Sequence, residues 1–198
     1  MKLNKIMLVA ALAMGTASFG AFAADENTGM PDRPGAGSGG VVKFHGSIVD
    51  APCSINPESD GQDIALGVIG NGALKAGGMS VPRPFTIKLE QCADDTKKSV
   101  VTTFNGTAGS GEATKSLALG MDAPPADGVI GASIVLLAAD KSTILDVDGS
   151  KGVEQLLYKG PNDLNFFAAV KGDGKEDETH PIALGEFHSS VNFALTYQ

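Results

Sequence analysis

Residues 185–198 read G-E-F-H-S-S-V-N-F-A-L-T-Y-Q. Val191, Phe193, Leu195 and Tyr197 alternate with polar or small residues, the period of a strand with one buried face. No further strand follows to cover its far edge, so something else must cover it. An open apolar edge is an aggregation hazard unless a partner pairs with it, and the identity of that partner decides what such a chain does.

The start of the chain sets the compartment. Lys2 and Lys5, an apolar run from Ile6 to about Ala17 and the small-residue sequence Ala21-Phe22-Ala23 form a secretory signal peptide over residues 1–23. The apolar run is too short for a membrane anchor. The mature chain is expected to begin at Ala24 and to be large enough for one domain with a sizeable core. Without the two leader lysines, 13 basic residues face 23 acidic ones, a net charge of −10. No basic stripe exists, so nucleic acid is not an expected partner.

Cys53 and Cys92 are the two cysteines. Export makes a disulfide between them the default expectation, and on the chain-entropy estimate it contributes roughly 3–4 kcal/mol. A redox pair usually reads C-x-x-C, and this spacing is far from it.

The mature chain falls into zones. Residues 24–40 carry Pro31, Pro34 and five glycines between Gly29 and Gly40, the composition of a flexible arm. Val42, Phe44, Gly46 and Ile48 then alternate with Lys43, His45, Ser47 and Val49, giving a strand candidate with a glycine in its apolar row. From residue 53 onward, strand patterns recur at Ile64–Val68, Phe85–Cys92, Ser99–Asn105, Lys115–Leu119, Ala132–Ala138, Glu154–Lys159, Asn165–Val170 and Phe187–Tyr197. Turn pairs such as Asn71-Gly72, Asn105-Gly106, Asp127-Gly128 and Asp148-Gly149 separate them. Many short strands with frequent turns and no convincing amphipathic helix predict an all-β antiparallel sandwich.

Chemistry is sparse. His45, His180 and His188 show no metal-ligand spacing, so neither a metal nor a cofactor is expected. Gly35-Ala36-Gly37-Ser38-Gly39-Gly40 spells G-x-G-x-x-G but lacks the strand and helix that a phosphate loop requires. No nucleophile context appears, and no enzyme activity is expected.

Two strands therefore dominate the reading. The first lies behind a loose arm and the last has an uncovered edge. Either both pair within one complete sandwich, or the first pairs with the edge of another molecule. The second arrangement joins two different surfaces head to tail, which builds filaments when it does not close a ring. Gly46 would permit close backbone approach at a crowded point.

These residues resemble the pilin subunits of chaperone–usher fimbriae, most closely a major rod subunit of the type 1 and P-pilus kind. Phe44-His45-Gly46-Ser47-Ile48-Val49-Asp50-Ala51-Pro52-Cys53-Ser54-Ile55 is similar to the family's opening, Cys92 matches its second half-cystine, and Gly185 with the penultimate Tyr197 matches its C-terminal signature. The resemblance implies an incomplete immunoglobulin-like sandwich over residues 53–198, preceded by an arm and donor strand over 24–52. Phe44, Gly46 and Ile48 would be donor residues, with Val42 and Asp50 at the flanks. Val191, Phe193, Leu195 and Tyr197 would line the acceptor groove with the strand after Cys53, and Gly185 would open the chaperone motif. The implied partners are identical or related pilins, a periplasmic chaperone and an outer-membrane usher. The product would be a cell-surface fimbria that contributes to adhesion, with any host receptor engaged at the level of the fimbria. The stretch before the donor segment is longer and richer in Gly and Pro than the family pattern. A minor adaptor or adhesin of the same fimbria, or a secreted β-sandwich binding protein, are the alternative readings. Too few residues precede Cys53 for an N-terminal lectin domain.

Overall fold

The computed structural model describes residues 40–93, 98–112, 114–175 and 181–198. The residues read as a signal peptide, those read as an arm as far as residue 39, and His180 lie outside the described residues. The chain divides into two compact units, Met1–Ser47 and Ile48–Gln198. In the first unit the described residues, 40–47, are exposed and form no strand.

The second unit carries β1 (Ser54–Ile55), β2 (Arg83–Cys92), β3 (Ser99–Gly106), β4 (Gly120–Met121), β5 (Ala132–Leu137), β6 (Asp148–Leu156), β7 (Gly160–Gly172), β8 (Phe187–His188) and β9 (Val191–Tyr197). One sheet runs β1-β2-β7-β5 and the other β6-β3-β9, while β4 and β8 form a small ribbon. Every pairing is antiparallel. The all-β antiparallel architecture read from the sequence is the observed one.

Period-two patterning explains the layers. Leu164, Phe166, Ala168 and Val170 of β7 face the main core beside Ile87 and Leu89 of β2 and Ile134 and Leu136 of β5. The alternate residues Ala169, Val135 and Leu137 face outward into a smaller cluster with Phe167 and Ile144. From the opposite sheet, Val100 and Phe104 of β3 enter the main core. Phe166 stacks on Phe85 at 5.6 Å between ring centroids and meets Phe104 edge-on at 5.0 Å. Glycine is required where the segment after β1 crosses β7. A Cβ on Gly172 would lie 1.9 Å from the Leu74 carbonyl oxygen, and backbone cannot yield as a side-chain tip can. Gly172→Ala is therefore expected to destabilise the domain by about 1–3 kcal/mol or more, read as a lowered thermal unfolding midpoint of the purified protein.

Several strand readings need correction. Val42–Ile48 is not in a strand, and neither is any other residue from 40 to 53. Ile64–Val68 forms no ladder: Gly67 takes φ +80° and residues 62–70 are unassigned to any regular element. Lys115–Leu119 contributes only isolated bridges from Leu117 to Ala108 and Ile134. Strand β6 begins at Asp148 rather than Glu154. Asp148-Gly149 makes a turn inside the strand, with Gly149 at φ +78° and the Asp148 carboxylate accepting from the Ser150 hydroxyl and N–H. Phe187–Tyr197 splits at Ser189-Ser190, because β8 pairs with β4 and β9 with β3.

Candidate functional site

The edges of the two sheets are treated differently by the sequence. Beside β2, two side chains and one backbone amide take up the main-chain groups that β1 is too short to reach. Lys88 N–H donates to Ser59 Oγ at 2.8 Å, Gln62 Nε2 donates to the Thr86 carbonyl at 3.0 Å, and Asn56 N–H donates to the Lys88 carbonyl at 3.0 Å. Beside β5, Leu117 bridges Ile134 and Ile144 bridges Leu137. The β6 edge is interrupted by the Asp148–Ser150 turn and carries Lys151, two of the usual ways of blunting an edge. Strand β9 has none of these. It pairs along its whole length with β3, from Gly106↔Val191 to Val100↔Tyr197, and no described strand lies on its other side.

Burial changes abruptly at this edge. On β3, Val100, Thr102 and Phe104 are at most 2% exposed. One strand spacing outward, about 4.8 Å, their neighbours Tyr197, Leu195 and Phe193 are only half-buried, as is Val191, although all four pack against the main core. The apolar row thus points inward and is left partly uncovered. Burial pushes the Tyr197 hydroxyl up from its ordinary pKa, so this ring stays neutral at physiological pH. Leu66 and Ile69, from the unpaired stretch before Asn71, are a second set of half-buried residues on the same core.

The predicted site residues fall into three groups. Gly185, Val191, Phe193, Leu195 and Tyr197 belong to the C-terminal segment. Gly185 sits at φ +144°, where glycine is favoured, and a Cβ there would lie 3.1 Å from Met121 Cε. Val42, Phe44, Gly46, Ile48 and Asp50 are exposed. Phe44 shows 91% and Ile48 103% of the side-chain surface of a free residue. Both figures are extreme for apolar side chains this large. Cys53 and Cys92 form a disulfide that ties the entry to the domain to the end of β2, next to a bond from Ala93 N–H to the Pro52 carbonyl. The strand after Cys53 that was expected to share the groove is only two residues long and pairs with β2. Sequence reasoning placed Leu66 only within the Ile64–Val68 strand pattern and left out Ile69; their three-residue spacing across a glycine breaks strand alternation. Cys53→Ser is expected to reduce the yield of folded protein, given the roughly 3–4 kcal/mol assigned to closing this loop, with the amount of folded protein recovered from cells as the readout.

Among the described residues no group of three His, Cys, Asp or Glu side chains could hold a metal ion. No helix in them is long and apolar enough to cross a membrane.

No family model matches the chain. Individual relatives do. Over an alignment of 202 positions it is 42% identical to the Fimbria A protein of Serratia marcescens, with all of both chains covered. It is 39% identical to the Major MR/P fimbria protein of Proteus mirabilis strain HI4320, again with all of both chains covered. To the Pap fimbrial major pilin protein of Escherichia coli it is 33% identical, with 98% of this chain and 99% of that one covered. Among solved structures, the P pilus rod subunit PapA superposes with a TM-score of 0.61 at 31% identity, covering 75% of this chain and all of that one. A chaperone–usher pilus structure addressing the basis of rod uncoiling superposes at 0.68 and 31% identity, covering 85% of this chain and all of that one. These likenesses give the two-sheet sandwich its immunoglobulin-like pilin character. The chain belongs to the family of fimbrial major pilins, the structural subunits of chaperone–usher fimbriae.

Proposed function

We propose that this subunit polymerises by donating the segment around Gly46 to the β9 edge of a neighbouring copy. The observation that carries the reading is the loss of burial across one strand spacing, from β3 to β9. A strand laid along β9 would satisfy its free main-chain groups and cover Val191, Phe193, Leu195 and Tyr197. The segment Val42–Asp50 is suited to that role, since its apolar side chains, Val42, Phe44, Ile48 and Val49, are all exposed, and the first three fall in one alternating row with Gly46. Phe44 and Ile48 would fill the groove, with Val42 and Asp50 at its ends. Gly46 would sit where the groove is shallowest. Each well-buried Phe or Ile contributes roughly 1.5–3 kcal/mol, so the joint should separate slowly. Leu66 and Ile69 are the residues best placed by chemistry to form the opposite wall.

Before assembly the same groove needs a temporary occupant. A periplasmic chaperone would lend a strand and contact Gly185–Gln198, and an outer-membrane usher would be where the neighbour's segment replaces it. The subunit acts as a structural component of the surface fimbria and as part of its adhesive organelle, with no catalytic role.

The test is a denaturing gel of fibres sheared from cells, run with the disulfide intact, unheated and boiled. A ladder of multiples that collapses to one band on boiling supports non-covalent strand exchange. A single monomer band in both lanes would sink it.

A further inference from the structure

The two Asn-Gly pairs of this chain, Asn71-Gly72 and Asn105-Gly106, have similar exposure and opposite backbone environments. Asn71 and Gly72 are both exposed and sit in a single 3-10 turn, Asn71–Ala73. That turn is held by bonds from Ala73 N–H to the Gly70 carbonyl and from Leu74 N–H to the Asn71 carbonyl. Neither bond uses the Gly72 N–H, which has no hydrogen-bond partner among the described residues. A Cβ added to Gly72 would meet nothing within 4 Å. The turn leads through the buried Leu74 into a second 3-10 turn, Lys75–Gly77, and Asn71-Gly72 form its exposed leading end, where short turns of this kind fray first.

Asn105 is also exposed, yet it is fixed on every side. It lies inside β3, opposite Asp148 on one flank and Asn192 on the other. Its Nδ2 donates to the Asp148 carbonyl at 3.3 Å, and Gly106 N–H donates to the Val147 carbonyl at 2.9 Å. A Cβ on Gly106 would fall 2.5 Å from Leu117 Cδ2 and 3.1 Å from the Ser190 carbonyl oxygen.

We infer that Asn71 is a site of spontaneous, age-dependent deamidation in the assembled fimbria, whereas Asn105 is protected by its ladder. The Gly72 amide nitrogen loses its proton and attacks Asn71 Cγ. The new N–Cγ bond closes a five-membered imide, the Cγ–Nδ2 bond breaks, and ammonia leaves with the proton. Water then opens the ring at either carbonyl, giving aspartate or isoaspartate. Solvent water is the sole co-reactant and nothing is oxidised or reduced. A free nucleophilic N–H, no side chain on the next residue and a turn that opens easily are what the attack requires. At Asn105 the corresponding nitrogen is already bonded, so a ladder must open first.

The consequence reaches the core. Both products add a negative charge to an already acidic chain. Isoaspartate also lengthens the main chain by one methylene, in the turn that carries the buried Leu74 inward and sets its carbonyl against Gly172. Age would thus be written into a subunit at one surface turn.

The experiment incubates sheared wild-type fibres in warm neutral buffer and follows the peptides containing residues 71 and 105 by mass spectrometry, with isoaspartate scored separately. Conversion at Asn71 is expected to outpace that at Asn105 by at least about tenfold, and Gly72→Ala fibres are expected to lose it. The open space around Gly72 lets that variant fold. Should it fail to assemble, the wild-type comparison of the two sites still decides. Equal rates at the two sites, no conversion at Asn71, or unchanged conversion in Gly72→Ala would each overturn the inference.

Discussion

Cells producing the Gly46→Arg chain are expected to carry no fibres built from it, while the subunit accumulates folded in complex with its chaperone. The substitution lies outside the domain core, so it should leave β2, β3, β5 and β7 intact. Its effect falls at the joint. In the proposed joint a long charged side chain would replace a residue that brings no side chain to the groove, and an unpaired buried charge costs several kcal/mol even after relaxation. That matches or exceeds what burial of Phe44 or Ile48 supplies, roughly 1.5–3 kcal/mol each. Electron microscopy of the surface and co-purification with the chaperone separate the outcomes. Normal fibres would remove Gly46 from the donor role; loss of the chaperone complex as well would point to a folding defect instead.

A larger effect on stability is expected from closing the groove within one molecule. Fusing a second copy of residues 41–52 through a flexible linker after Gln198 places a donor strand beside β9 of the same chain. Covering the half-buried row should stabilise the domain by about 4–8 kcal/mol if two or three apolar side chains become buried. For a domain of this size that is a rise of more than about 10 °C in the unfolding midpoint. The product should be monomeric and should no longer need a chaperone to accumulate. Removing Phe44 and Ile48 from the added copy by alanine substitution should abolish most of the gain. A fused chain that melts with the parent would show that β9 is not an acceptor.

Much of this arrangement was legible because β2, β3 and the first half of β7 alternate along their length between turn signals, while β5 reads as a short, nearly continuous apolar run. Phe85-Thr86-Ile87-Lys88-Leu89 can bury Phe85, Ile87 and Leu89 in only one way. The final strand was legible for the same reason. Other features were invisible to period-two reasoning. Ile64–Val68 has the composition of a strand, yet ladder formation depends on a neighbour that sequence does not supply, and Gly67 turns the chain out of register. Closure of the β2 edge by Ser59 and Gln62 depends on side-chain hydrogen bonds across 29 and 24 residues of sequence. No local pattern encodes those. The packing of Leu66 and Ile69 on the core was missed because irregular backbone can deliver apolar side chains to a core at any spacing.

The unequal treatment of the sheet edges has a consequence best put in the terms of polymer chemistry. A monomer with one reactive end of each kind has a functionality of two and gives linear chains; a third reactive group makes branches and, eventually, gels. The side chains of Ser59 and Gln62 on β2, the bridges beside β5 and the turn within β6 remove sites that could otherwise react. What remains open among the described residues is the β9 edge, with its half-buried apolar row. On this view the residues that keep a fimbria a thread rather than a network are not those that join its subunits. They are the modest groups that occupy the β2, β5 and β6 edges, and weakening them should produce thickened, cross-linked aggregates without altering the joint itself.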